Sequence, residues 1–530
     1  MQIYRTLAAS LLFALMSMTS QSQELKTTSF PKLSGEKWWG AMTALGGSTP
    51  FIEQGRTPSS SQSYNNQNVP LLVSNFGRYI ASTVPFDFEI TSDAVNIFAT
   101  CDTIQVRVVG KNLRTGLFGA AQAFFKPSGV TPPDEFFSLP QYNTWIELNF
   151  NQNQRDILSY ANGVLDSGLP AGILMIDDTW QRYFGSYDFK AERFDDPRGM
   201  VSQLHKKGFK VMLWVSPFVT GDSPEFRDLA SKGYLIKEKN GEPAIIRWWN
   251  GYSALYDLTN PGAVDYLYGK LKECQQKYDI DGFKFDAGDL NFYTPQTQSY
   301  YDGDATAADH SVAWAQLALR FPYNELRACW GMQGEALVQR LGDKDYSWGA
   351  LKSLIPEMIN AGLMGYAYTC PDMIGGGQIG SFEDVQNQEF DQKLIVRSAQ
   401  VHALMPMMQF SVAPWRVLSP ENMAYVVEAA RLHQEFAPLI LKLARESAIS
   451  GEPIVRSMEY NYPHKGFSDC QDQYMLGNEI LVAPVMDPSG KRTVRLPSGR
   501  WLDDQGVKHK GPIVLEFTAP LSRLPYYKHL

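Results

Sequence analysis

From about Tyr142 onward, short apolar runs alternate with amphipathic stretches, and this alternation constrains the fold more than any other feature of the chain. Strand–helix alternation calls for a parallel sheet covered by helices. The runs Thr144–Leu148, Gly172–Ile176, Lys210–Val215, Gly282–Phe285, Leu326–Cys329, Gly365–Thr369 and Met407–Phe410 read as strands, with a weaker one at Arg340–Gly342. Amphipathic segments Arg155–Leu165, Arg198–Lys207, Ala263–Lys277, Leu351–Asn360 and Gln392–His402 fall between them. Eight strands over roughly 280 residues match the size of a (β/α)8 barrel with insertions. An open doubly wound sheet usually carries a Gly-rich phosphate loop after its first strand, and none is present. The fold class is therefore α/β, a TIM barrel over 141–445.

The flanks read differently. Residues 23–140 carry short apolar runs at Val69–Val73, Tyr79–Ser82, Phe86–Ile90 and Ile104–Val109, separated by Gly, Asn, Asp and Pro, which predicts a β-sandwich. The polar stretch Ser59–Asn68 within it reads as a loop. Residues 446–530 turn to β again, with Ile480–Val485 and Thr493–Leu496 punctuated by Pro488, Gly490, Pro497 and Gly499. At the other end, Arg5 precedes an apolar run from Leu7 to Met18 and a polar stretch, so residues 1–22 read as a cleavable export signal and the protein as secreted or periplasmic.

A formal net charge of −8 disfavours nucleic acid or an anionic membrane as partner. The apolar run at the start is too short to span a bilayer comfortably, so no membrane insertion is expected. Five cysteines without a C-x-x-C pair and only seven histidines give no zinc-like spacing, and the reading calls for no metal and no cofactor.

In such a barrel the chemistry sits at the C-terminal ends of the strands. Gly172–Ile176 is followed by Asp177, Asp178 and Trp180; Gly282–Phe285 by Asp286 and Asp289; the weak strand ends in Gly342-Asp343; and Asp372 follows Gly365–Thr369. Trp214, Trp248, Trp249, Trp330 and Trp348 join them. A single Asp after a strand is more often a helix cap or turn residue. Four such positions on one face point instead to acetal hydrolysis, which needs one carboxyl to protonate the leaving oxygen and another to attack or stabilise the anomeric carbon. Spacing alone does not say which two do so.

The segment Ile280–Asp289, reading IDGFKFDAGD, resembles the nucleophile motif of glycoside hydrolase family 31, and Gly342-Asp343 followed by Ser347-Trp348 resembles its acid/base motif. Similar matches run through Phe194–Lys210, Leu363–Gly365, Asp372–Gly376, Gln473–Gly477, Leu481–Val485 and Leu496–Trp501. The resemblance implies a retaining α-glycosidase with Asp286 as nucleophile and Asp343 as general acid/base. It further implies that Asp177 binds a hydroxyl at the non-reducing end of the sugar, that Arg327 and Trp330 line the subsite near the acid/base, and that Asp372 lies deeper. Lys284, two residues before Asp286, points into the same interior by strand period, and pairing with acids there is an equally good role.

One departure bears on the sugar. Family members acting on α-glucosides usually carry Arg-x-His after the last strand, whereas Met407–Ser411 here has no histidine. The run Arg247–Gly251, with Trp248-Trp249, and the pair Asp177-Asp178 before Trp180 resemble the family's α-galactosidase-containing branch. Candidate substrate-binding residues are thus Asp177, Asp178, Trp180, Trp214, Trp249, Lys284, Arg327, Trp330 and Asp372. The expected partner is an α-linked oligosaccharide or glycoside, and the expected activity exo-acting α-galactoside hydrolysis. An α-glucosidase, an α-xylosidase, a transglycosylase and a non-catalytic glycan-binding protein remain alternatives.

Overall fold

A computed structural model describes residues 25–58, 66–100 and 103–530. The expected export signal, Cys101 and residues 59–65 of the polar stretch lie outside the described residues. Among the described residues no helix is long and apolar enough to cross a membrane.

Eight parallel strands form the barrel: β1 Gln141–Asn143, β2 Ile173–Ile176, β3 Lys210–Val215, β4 Gly282–Phe285, β5 Tyr323–Leu326, β6 Gln339–Arg340, β7 Thr369–Cys370 and β8 Gln409–Phe410. They pair in the order β7-β6-β5-β4-β3-β2-β1-β8, and a parallel bridge from Met373 to Gln409 brings the two ends together. Several strand expectations shift. Thr144–Leu148 is not a strand, because β1 ends at Asn143 and Trp145–Leu148 is a helical turn. The fifth strand ends at Leu326, and Cys329–Trp330 leaves the barrel to pair with Gln67–Asn68 of the N-terminal part. Those two residues consequently belong to a strand, Gln67–Ser74, and not to the expected loop.

The outer helices are α1 Gln154–Asp166, α2 Pro197–Lys206, α3 Pro261–Tyr278, α4 Ala307–Leu319, α5 Trp348–Leu363, α6 Gln392–Ala403 and α7 Pro420–Ser450. Their starts are set by sequence. Asn153, Asp196, Asn260, Ser347, Asp391 and Ser419 each accept a backbone N–H of the first turn, and Pro follows directly at α2, α3 and α7. No helix separates β5 from β6.

β4 shows how the pleat aims the chemistry. Phe283 and Phe285 point outward, packing on Phe321 and Trp314 at ring separations of 5.1 and 5.0 Å. The intervening Lys284 and the following Asp286 therefore face the interior. Register places Trp214, Lys284 and Glu325 level across β3, β4 and β5.

The N-terminal part holds two antiparallel sheets around a core of Trp38, Phe51, Leu72, Ile80, Phe86, Phe88 and Ile97. It includes strands Lys26–Pro31, Trp38–Met42 and Ala94–Ala99 and a helix Leu113–Phe124 that the apolar runs did not announce. It is tied to α5 by Asn360, whose Oδ1 accepts Gly40 N–H (2.9 Å) and whose Nδ2 donates to Met42 O (2.7 Å) and Gly40 O (3.1 Å). The C-terminal part is a six-stranded sheet from Val455 to His529, dominated by the hairpin Lys491–Asp503 and Lys508–Thr518.

Asn360 is fully buried, so Asn360→Leu strands backbone groups of Gly40 and Met42 without partners or water. The expected loss is about 3 kcal/mol of unfolding free energy by denaturant titration. A loss below about 0.5 kcal/mol would mean that those groups find other partners.

Candidate active site

The strand ends enclose a cavity of about 290 Å³, lined by Asp177, Asp178, Trp214, Trp249, Lys284, Asp286, Arg327, Arg340 and Asp343, with Trp145, Phe150, Gln378 and Ile379 at its mouth side. Its volume is at the small end for ligand sites and suits one small ring.

Asp286 is held at both oxygens. Trp214 Nε1 donates to Oδ2 at 2.7 Å, and the N–H of Ala287 donates to Oδ1 at 3.0 Å. The second bond depends on Ala287 adopting a left-handed backbone, φ 58°, an unusual conformation for a side-chain-bearing residue. Arg327 lies between the two family-motif acids: its Nε is 3.9 Å from Asp286 Oδ1 and its Nη1 is 3.8 Å from Asp343 Oδ2. Arg327 is itself held by Asp289 at 3.2 Å and covered by the Trp249 ring at 5.0 Å.

Asp177 and Lys284 form a buried ion pair at 2.7 Å. Burial would drive the lysine toward neutrality, but Asp177, Asp286 and Glu325 outweigh it and hold the ammonium charged. Beside them Asp178 accepts from Asn250 through Oδ2, while its buried Oδ1 has no protein partner. Burial, reinforced by the charges of Asp177 and Asp286 and opposed by Asn250, pushes its carboxyl up to about 7.

Asn250 and Trp249 form the tip of a hairpin, Ile246–Trp248 and Gly251–Leu255, in the β3–α3 connection. Trp248 packs the hairpin down, stacked on Phe218 at 4.0 Å, while Trp249 reaches the cavity.

Arg340 is the hub on the far wall. Its Nη1 donates to Asp343 Oδ1 (2.7 Å), to Asp372 Oδ1 (2.6 Å) and to the carbonyl of Leu341, and its Nε lies 3.7 Å from Glu325. Asp343 is the more open of the two acids, with 24% of its side chain exposed against 0% for Asp372. Burial raises Asp343, but Arg340, Arg327 and Lys284 together hold it below the usual carboxylate range. Asp372 is pushed up to about 6 by burial and by the charge of Asp343, against Arg340.

The structure thus brings together eight of the residues expected from sequence: Asp286, Asp343, Asp177, Asp178, Trp214, Trp249, Lys284 and Arg327. Asp372 touches the site through Arg340. Two expectations are corrected. Trp180 is fully buried beneath the site, its indole N–H donating to Trp214 O at 2.7 Å and its ring against Phe189. Trp330 lines a separate cavity of about 410 Å³ with Leu71, Ser82 and Phe124, because the chain after β5 departs to the N-terminal sheet. Sequence reasoning missed Arg340, although it stands in the strand read for Asp343. It also missed Trp145, assigned to a strand interior, and Asn250, which stood beside the tryptophans that drew notice.

Lys284→Met removes one partner of the buried Asp177–Lys284 pair, so an expected destabilisation of roughly 3–5 kcal/mol should appear in denaturant unfolding. Stability within about 1 kcal/mol of the parent would show that Asp177 finds other partners.

Comparison with known proteins bears on this arrangement. The model for the glycosyl hydrolases family 31 TIM-barrel domain matches residues 137–443, and that for the family's C-terminal domain matches 451–529. The myogenesis-regulating glycosidase of Mus musculus is 33% identical over 418 residues, covering 76% of this chain and 58% of the relative. Alpha-xylosidase XylQ of Lactiplantibacillus pentosus is 25% identical over 488 residues, covering 83% and 59%. The chain thus spans a little under three fifths of the length of these relatives. Among solved structures, a family 31 alpha-xylosidase from a soil metagenome, complexed with xylose, superposes with a TM-score of 0.82 at 20% identity, over 95% of this chain and 79% of that one. That likeness concerns the fold. With the barrel-domain model matching more than half of its length, the chain belongs to glycosyl hydrolase family 31.

Proposed function

We propose that the protein is an exo-acting, retaining α-glycoside hydrolase whose substrate is an α-galactoside. The observation that carries the hydrolase reading is the pair Asp286 and Asp343, 3.9 and 3.8 Å from Arg327 and both lining one small cavity. A cavity of one-ring size supports cleavage at a chain end.

In the first step an oxygen of Asp286 attacks the anomeric carbon while Asp343 delivers its proton to the departing glycosidic oxygen. The C–O bond breaks, leaving a glycosyl ester on Asp286 and a carboxylate at Asp343. In the second step Asp343 takes a proton from water as that water attacks the same carbon, and the ester bond breaks to free Asp286. Two inversions restore the α configuration. The N–H groups of Trp214 and Ala287 hold the Asp286 carboxylate in one orientation for attack. Arg327 faces both acids and stabilises whichever carries the charge.

Three features support galactose. At the eighth strand Gln409 takes the interior position, and its Nε2 is committed to Glu325 at 2.7 Å and Gln141 at 3.0 Å, so no imidazole meets the sugar there. Asp178 stands beside Asp177 in the cavity lining, held there by Asn250. Trp249 forms a wall that a hairpin insertion brings over Arg327. An axial O4 needs partners placed differently from those of an equatorial one, and a differently built wall supports that reading. The likeness to alpha-xylosidase XylQ makes an α-xyloside the competing substrate.

Asp286→Asn is expected to retain the fold and abolish turnover, since an amide cannot form the ester; near-normal activity on an activated aryl glycoside would end the assignment. For the parent enzyme, retention requires the two carboxyl groups to work at roughly 5–5.5 Å separation. An NMR time course should accordingly show the α-anomer of the released sugar first, and initial β-anomer would mean a single inverting displacement with no glycosyl ester on Asp286.

A panel of p-nitrophenyl α-glycosides tests the sugar. A buried hydroxyl without its partner costs about 1–3 kcal/mol, so kcat/KM for the α-galactoside should exceed that for the α-glucoside by roughly tenfold to a few hundredfold. Asp177→Ala and Trp249→Ala should shrink this ratio. A glucoside or xyloside turned over faster would replace the galactoside reading and leave the hydrolase reading in place.

A further inference from the structure

Asp343 does not face its cation alone. A single nitrogen, Arg340 Nη1, donates to Oδ1 of both Asp343 and Asp372, at 2.7 and 2.6 Å. The backbone forces this sharing. Asp372 sits at φ 78°, a left-handed conformation costly for an aspartate, and its other oxygen accepts Lys344 N–H at 2.8 Å, in the loop that carries Asp343. A Cβ at Gly377 would lie 3.0 Å from Oδ1 of both acids, so the glycine loop closes down on the same two oxygens. Two carboxylates held against one guanidinium nitrogen repel each other, and one proton between them relieves the repulsion.

We propose that Asp343 and Asp372 hold one proton jointly across Arg340, with Asp372 and Arg340 acting as positioning residues that set the pH range in which Asp343 can serve as the acid. This rests on the reading of Asp343 as acid/base. Other groups face the pair from every side: Lys284 from β4, Arg327 after β5, Glu325 on β5 against Arg340, Asp286 after β4, and Lys344. His402 of α6 meets only the Asp372 carbonyl, at 3.1 Å, and burial keeps it neutral, its imidazole pushed down to about 4. Asp343 is the easier of the two to ionise, since it faces three cations and more solvent, so in the empty site the shared proton resides mostly on Asp372. The productive form carries the proton on Asp343. Both forms lose it in the same upper titration, so the alkaline limit of kcat/KM belongs to the pair and not to Asp343 alone.

The consequence is a pair of opposite shifts. Replacing Asp372 by Asn removes the second holder of the proton and leaves Arg340 wholly to Asp343. The Asp343 carboxylate is then favoured, and the alkaline limb of kcat/KM moves to lower pH. Replacing Arg340 by Gln removes the cation that favours both carboxylates, and the limb moves to higher pH. The measurement is the pH profile of kcat/KM on an α-glycoside with an alkyl leaving group, which needs the proton.

Each shift is expected to reach about one pH unit or more, in opposite directions. An Asp372→Asn profile that is unmoved or moves to higher pH overturns the proposal, as does an Arg340→Gln profile moving to lower pH. Asp372→Asn is isosteric and keeps its acceptor for Lys344 N–H, so it decides alone should Arg340→Gln fail to fold. A separate arm guards the underlying reading: Asp343→Ala should regain activity on an activated aryl glycoside with added azide. Rescue without the shifts would sink the shared proton alone, whereas no rescue would sink the acid/base role and the proposal with it.

Discussion

Seven carboxyl groups and three cations share the C-terminal end of this barrel, and their balance governs the rest of the site. Asp177, Asp178, Asp286, Asp289, Glu325, Asp343 and Asp372 are set against Lys284, Arg327 and Arg340. Ionising all seven in so dry a space would be prohibitive, because desolvation of an unpaired charge costs several kcal/mol. The structure resolves the excess in two ways. Each cation serves more than one acid, as Arg327 does for Asp286, Asp289 and Asp343. Burial also raises Asp178, Asp289, Glu325 and Asp372 toward their neutral forms. Asp343 goes the other way, its carboxyl held below the usual range against burial by Arg340, Arg327 and Lys284.

That balance is built by strand register. Trp214, Lys284 and Glu325 stand level on three adjacent strands, so the indole that orients Asp286, the ammonium that pairs with Asp177 and the acid beneath Arg340 are fixed by one set of ladder hydrogen bonds. A slip of one residue would turn all three outward. The hairpin in the β3–α3 connection works differently, since it reaches the cavity only through its tip, where Trp249 covers Arg327 and Asn250 holds Asp178. The layer is set by the barrel's own ladder, whereas the hairpin tip is set by its side-chain contacts.

Much of this was legible in the sequence, for identifiable reasons. The barrel showed through because apolar runs such as Ile173–Ile176 and Val211–Val215 alternate with helices that begin at Asn, Asp or Ser, often with Pro next. Asp286 was readable because it directly follows a short strand, Gly282–Phe285, in a segment that resembles the family's nucleophile motif. Arg340 was not readable as a hub: β6 pairs over only two residues, too short for a periodicity to say which way its side chain points. Trp330 was misplaced because nothing local marks a chain leaving its barrel; the partner strand lies more than 250 residues earlier. Trp180 failed for a simpler reason, since a tryptophan after a strand can support a site from below as readily as face it.

The missing helix between β5 and β6 carries a last implication. In its place the chain runs out through Cys329–Trp330, adds a parallel pair to Gln67–Asn68, and rests its following turn on Phe125–Ser128, where Ser128 N–H meets Gly334 O at 3.0 Å. The N-terminal sheets are therefore bonded to the barrel wall where that helix is absent. Recombination that exchanges whole domains between relatives would have to carry this seam along, and a core trimmed to the barrel would lose the bonds from Gln67 Nε2 to the carbonyls of Arg327 and Arg340.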